Sequence, residues 1–168
     1  MPVVGAGAST PTPGRYNPAM PLAAINLAAA AALTGVIWLV QLVVYPMFLD
    51  AGPGAFPAWE LEHAERISPV VGVPIVAGLA AAVALVVRAG PATRWLARVN
   101  LGLLVLALGI TALVSVPLHE ELSRGFSAAA IDDLVRTNWI RTAAWSAQLA
   151  VAVLLVVRFE RSPRLDGR

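Results

Sequence analysis

Four stretches of this chain are long, apolar and nearly free of charge, and they decide most of what it can fold into. They run from about Leu22 to Phe48, Pro69 to Val87, Trp95 to Leu118 and Trp139 to Phe159. A helical span needs about 20 mostly apolar residues to cross a hydrocarbon core of roughly 30 Å. Inside lipid the backbone must satisfy its own hydrogen bonds, so each stretch is expected to be a helix. The expected fold is all-α: a four-transmembrane-helix bundle over residues 22–159. Only 13% of the 168 residues are charged and 58% are hydrophobic, where a soluble domain carries about 25% charged residues. Little chain is left for a separate soluble domain.

The ends differ from the spans. Residues 1–21 are rich in Gly, Pro, Ala, Ser and Thr and carry one charged side chain, Arg15. They are expected to be a disordered tail, and they lack the basic start and short apolar core of a cleaved signal peptide. Residues 160–168 form an arginine-bearing tail. Phe56 to Ile67 is expected to be a short amphipathic helix leading into the second span, and Pro74 is expected to kink that span. All basic residues are arginines, and their distribution sets the orientation. Eight of them (Arg15, Arg88, Arg94, Arg98, Arg158, Arg161, Arg164 and Arg168) belong to the tails and the second connection. Four (Arg66, Arg124, Arg136 and Arg141) belong to the first and third connections and the start of span four. The expectation is a multi-pass protein of the cell membrane with both termini cytoplasmic. The arginines form no patch, so no nucleic-acid partner is expected. There is no cysteine, which excludes disulfides and thiolate chemistry.

Polar side chains inside spans are costly and usually face the bundle interior. Thr34, Trp38, Gln41 and Tyr45 share one helix face by their spacing, as do Asn138, Arg141, Trp145 and Gln148, and as do Thr111, Ser115 and His119. Glu60 and His63 share a face if the lead-in is helical. Chain direction brings all these stripes to the same end. Acidic partners for Arg141 are expected among Glu60, Glu120 and Glu121, so that losing the charge impairs folding or function. Several bland roles compete: Tyr45 and Trp59 as interfacial anchors, Thr111 and Ser115 as helix glue, and Glu62–Arg66 and Asp132–Asp133 as solvated charges.

The chemistry open to these groups falls into three classes. Glu60-x-x-His63 has the spacing used by carboxylate metal sites in helical bundles. With His119 it offers two imidazoles and a carboxylate, a set that suits a single iron, zinc or manganese ion, with Glu120 as a further candidate. The two histidines also suit a haem, on thinner grounds. The third class uses no metal. Arg141 and Asn138, with Tyr45, Trp145 and Gln41, bind an anionic or carbonyl group of a lipid or quinone, and His119 or Glu60 moves protons as the catalytic pair.

Four segments carry a resemblance. They are Val43-Val44-Tyr45-Pro46-Met47-Phe48; Trp59-Glu60-Leu61-Glu62-His63; Val116-Pro117-Leu118-His119-Glu120-Glu121-Leu122; and Asn138-Trp139-Ile140-Arg141-Thr142 with Trp145. Together they resemble a family of small four-span bacterial membrane proteins, over roughly Gly35 to Leu149. That family often has aromatic-His-x-x-His at Trp59 to His63, so the resemblance implies that Glu60 stands in a histidine's place. A more distant likeness is to the anthrone-oxygenase-like four-helix membrane family. The expected function is a small oxidoreductase or oxygenase-like enzyme acting on a lipophilic substrate in a polar pocket at the outer end. The alternative is a non-catalytic membrane subunit or carrier. Expected partners are membrane lipid, a lipophilic small molecule or quinone, and a second copy or a partner subunit.

Overall fold

A computed structural model describes residues 18–161; the two tails expected at 1–21 and 160–168 lie largely outside the described residues. The chain forms an all-α four-helix bundle, with no strand among the described residues. The four helices long and apolar enough to cross a membrane are Met20–Asp50, Phe56–Arg88, Pro91–Arg124 and Ala128–Arg161, called spans one to four below. At 1.5 Å per residue each is about 50 Å long, so each projects beyond a hydrocarbon core of roughly 30 Å.

That extra length is where the sequence reading falls short. The lead-in helix is continuous with span two, which runs through Pro69 and Pro74 as one unbroken helix. Arg136 is helical too, because span four begins at Ala128 rather than near Trp139. Helix starts follow local chemistry. Pro21, Pro57 and Pro91 sit in the first turns of spans one to three, where a missing N–H costs nothing. Ser127 caps span four, its Oγ accepting from the Ala130 N–H at 3.1 Å.

The prolines that matter most are Pro46 and Pro117. Each follows a widened, π-helical turn, Val40–Val44 in span one and Thr111–Ser115 in span three. A proline ring inside a helix clashes with the carbonyl four residues back and offers it no N–H. Widening relieves this: the Tyr45 N–H reaches Val40 O, and the Val116 N–H reaches Thr111 O. Both widened turns lie toward the same end of the bundle, and such turns often mark functional sites.

Adjacent spans pack antiparallel around the ring, and spans two and three touch more lightly than the other neighbouring pairs. The core has three apolar layers. One gathers Ala23, Leu85, Leu96, Ala97 and Leu155; a middle one Leu33, Ile37, Ala82, Leu104 and Trp145; the third Phe48, Phe56, Leu122, Ile131 and Leu134. Polar glue is buried too. Asn26 and Asn100 exchange amide hydrogen bonds of 3.2 and 3.0 Å, and Gln148 Nε2 donates to Asn100 Oδ1 at 3.4 Å. Interhelical amide bonds of this kind contribute about 0.6–2 kcal/mol in membranes.

Small residues let spans one and two approach closely. A Cβ on Gly78 would stand 3.1 Å from the Ala29 Cβ. Gly78→Leu is therefore expected to lower stability by about 1–3 kcal/mol through overpacking. Gly35→Leu, with open space around it, is expected to be near neutral. Thermal unfolding of the two variants in one lipid or detergent checks this; equal midpoints would contradict it.

Candidate functional site

The third layer, the one with Phe48 and Phe56, holds a cluster of ionisable and aromatic side chains built from three spans. Span one supplies Tyr45 and Phe48, placed by the widened turn before Pro46. The first turns of span two supply Trp59, Glu60 and His63. Span three supplies His119, just beyond its own widened turn and Pro117.

At the centre is a three-member chain. His119 Nδ1 lies 2.5 Å from Glu60 Oε1, and His119 Nε2 lies 3.1 Å from the Tyr45 hydroxyl. With Glu60 ionised, its carboxylate only accepts. Nδ1–H then donates to Glu60, and Nε2 is left to accept from Tyr45. Glu60 is fully buried and Tyr45 nearly so; the His119 side chain is 23% exposed. Glu60 Oε2 is buried with no hydrogen-bond partner.

Aromatic rings fix this chain in place. Phe48 meets Tyr45, Trp59 and His63 edge-on, with centroids 5.3, 4.9 and 5.4 Å away. Trp59 stacks on His63 at 5.8 Å and 11°, and His63 lies over His119 at 6.1 Å and 29°. Edge-to-face and stacked pairs in this range stabilise by about 0.5–1.5 kcal/mol each. Trp59 is thus packed against the site rather than serving only as an interfacial anchor.

Beside the cluster is a cavity of about 490 Å³ lined by Tyr45, Glu60, His63, His119, Ser115, Arg141 and Trp145. Its other wall is apolar and includes Leu33, Ile37, Val71 and Ile75. Arg141 Nη1 donates to Ser115 Oγ at 2.9 Å, and Arg141 Nε is buried without a partner. The expectation that an acidic side chain compensates Arg141 is not met. Arginine ion pairs between described residues include Arg66–Glu62, Arg124–Glu120 and Arg136–Asp133, all exposed, and none involves Arg141. Glu60 is turned to His119 instead, and Glu120 leans toward solvent and Arg124.

Of the predicted site residues, Tyr45, Glu60, His63, His119, Arg141 and Trp145 therefore share one cavity. Gln41 and Asn138 do not line it. Asn138 Nδ2 donates to Gln41 Oε1 at 2.7 Å, and Gln41 Nε2 to Val135 O at 3.2 Å. They join spans one and four. Thr34 and Trp38 do likewise, donating to Trp145 O and Ser146 Oγ, both at 3.1 Å. Two members were not legible as site residues. Ser115 reads as helix glue until Arg141 is seen on it. Phe48 looks like one more apolar residue at a span end, and only its three-residue step from Tyr45 hinted at a shared face.

Glu60, His63 and His119 do come together at one end. Yet no three His, Asp or Glu side chains among the described residues converge in an arrangement that would hold a metal ion. Both ring nitrogens of His119 are engaged in hydrogen bonds, to Glu60 and to Tyr45. As arranged, Glu60, His119 and Tyr45 form a hydrogen-bonded chain, with His63 stacked beside it.

Fold and site together define the class: a multi-pass α-helical membrane protein with a cavity at one end of its bundle, largely apolar and bordered by ionisable groups. Comparison with protein-family models, with curated proteins and with solved structures returned no match.

Proposed function

We propose that this protein is a small membrane enzyme that moves a proton to or from a lipophilic substrate, in the manner of a cofactor-free oxygenase. The observation that carries the reading is the buried Glu60–His119–Tyr45 chain bordering a cavity that Arg141 also lines. A carboxylate that orients an imidazole, which in turn faces a hydroxyl, is an arrangement for general acid–base work. A guanidinium with an unpartnered Nε suits a carbonyl or enolate oxygen. For an activated CH2 group next to a carbonyl, the relay takes one proton and Arg141 holds the developing enolate. The carbanion passes its electrons to dioxygen, and loss of water leaves a new carbonyl: CH2 plus O2 gives C=O plus H2O. No external reductant is needed.

The test uses protein in lipid nanodiscs, in deuterated water, with a panel of lipophilic ketones and phenols that includes an anthrone. Deuterium incorporation reports the proton step and oxygen uptake reports the oxidation. Both are expected for at least one compound, and Tyr45→Phe is expected to suppress them. If no compound exchanges or consumes oxygen above lipid-only controls, the enzyme reading fails and a carrier or subunit role takes its place.

A second reading, a single iron, zinc or manganese ion on Glu60, His63 and His119, draws support from one feature. Glu60 Oε2 lacks a partner and all three residues line the same cavity. It predicts near-stoichiometric metal in purified protein that falls at least about tenfold in His63→Ala, since ligand loss of this sort abolishes most binding. Elemental analysis decides; metal that survives in both His63→Ala and His119→Ala would exclude these ligands.

The arginine distribution supports an orientation in the cell membrane with both termini cytoplasmic and the cavity end outside. A reporter fused after Arg168 should then report cytoplasm, and one inserted at Ser127, between spans three and four, should report the outside. Reversed signals from the pair would overturn the orientation.

A further inference from the structure

The cavity is not closed on all sides. Part of its wall is made of residues whose side chains also reach the outside of the bundle. Leu61 is 55% exposed and Val116 44% exposed, and Ser68, Glu120 and Ser123 are exposed as well. Leu61 and Ser68 belong to span two; Val116, Glu120 and Ser123 belong to span three. These are the two neighbouring spans that pack together most lightly. The opening therefore lies between them, on the outside of the bundle.

Depth gives a second, independent observation. Counting from Arg88 at 1.5 Å per residue, Ser68 lies about 30 Å up span two, near the far edge of the hydrocarbon. Val71 and Ile75 lie about 26 and 20 Å up, inside it. Arg141 lies about 26 Å from Arg158 along span four. The polar groups Glu60 and His119 sit further out, at headgroup level. The ionisable groups of the cavity thus gather toward its headgroup end, with Arg141 the deepest of them, and the wall below Arg141 at Leu33, Ile37 and Ile75 is apolar. That order, polar to apolar, follows the surrounding leaflet from headgroup to tail.

We infer that the cavity takes its ligand sideways from that leaflet, through the gap between spans two and three, and that the ligand is a single-chain amphiphile with an oxyanion or carbonyl head. The head lies at Arg141 and the Glu60–His119–Tyr45 chain, and the tail along Leu33, Ile37, Val71 and Ile75. Such a molecule need not turn over or leave the bilayer to bind. Its tail exchanges lipid contacts for cavity contacts, and its head meets a guanidinium that has no carboxylate of its own. The inference rests on the ligand-binding part of the proposed function and names the substrate class for it.

The probe is palmitate carrying a mid-chain diazirine, with the full chain in phosphatidylcholine nanodiscs. Photolabelled peptides are mapped by mass spectrometry. Saturable labelling is expected on span one around Leu33 and Ile37 and on span two around Val71 and Ile75. Unlabelled palmitate should compete at least about tenfold better than hexanoate, because the tail adds buried apolar area. Ser68→Trp fills one lip of the gap and touches none of the polar groups; it should reduce labelling by about tenfold or more. If Ser68→Trp fails to fold, Val116→Trp fills the opposite lip. Unchanged labelling in the folded lip variant, with loss in Arg141→Gln, would overturn sideways access and leave the head-binding reading intact. Labelling that ignores Arg141→Gln as well would overturn both.

Discussion

Arg141→Leu is expected to leave the bundle folded, with an unchanged or higher thermal midpoint, while ligand binding or turnover falls by at least about tenfold. The two halves of that result have separate causes. An arginine within a span costs about 2.5–3.5 kcal/mol at the helix centre on insertion scales, and less near the interface. Here it donates to the Ser115 hydroxyl and stands beside the Tyr45 hydroxyl, and no carboxylate among the described residues pairs with it. Removing it frees no buried acid. The sequence alone predicts only that folding or function is impaired, because it places Glu60, Glu120 and Glu121 at the same end without saying which way they turn. Arg141→Lys should recover only part of the binding, since a point charge lacks the planar fork. Arg136→Leu is the control. That residue forms an exposed pair with Asp133, and such pairs contribute about 0–1 kcal/mol. Loss of folding in Arg141→Leu, rescued by Arg141→Lys, would show that the charge is structural.

Glu60→Gln is expected to cut turnover by on the order of 100-fold or more while the protein still folds. The amide keeps the volume and can still hydrogen-bond His119. It cannot hold the proton that the relay passes along, nor stabilise an imidazolium. His119→Ala is the harsher change. It strands a fully buried carboxylate, and an unsatisfied buried group costs about 1–3 kcal/mol, so stability should drop along with activity. Tyr45→Phe removes only the hydroxyl at 3.1 Å from His119 and should reduce turnover with little effect on folding. A pH–rate profile of Glu60→Gln separates a proton-relay role from a packing role. A packing role lowers the whole curve without moving its limbs, and that outcome would sink the relay.

The bundle was legible in the sequence because a bilayer leaves few choices. Long apolar runs must be helices, and helices joined by short connections must stand antiparallel. The common end of the polar stripes followed from chain direction alone, which is why Tyr45, Glu60, His63, His119, Arg141 and Trp145 were nameable from spacing. Residues outside lipid are under no such rule. The lead-in before Ser68 and the stretch from Ala128 to Asn138 extend their helices through ordinary local propensity, and hydropathy does not see them.

The sequence by itself determined the number of spans and which side chains gather at one end. Only the tertiary structure decided how those side chains pair. Gln41 and Asn138 have the same polarity and spacing as true cavity residues, yet they close on each other across spans one and four. Glu60 has the spacing of a metal ligand to His63, yet it bonds to His119, fifty-nine residues away. Helical periodicity fixes a side chain's angle around its own axis but not the rotation of one helix against the next. That rotation is set by packing, here by the widened turns before Pro46 and Pro117 and the close approach of Gly78 to Ala29.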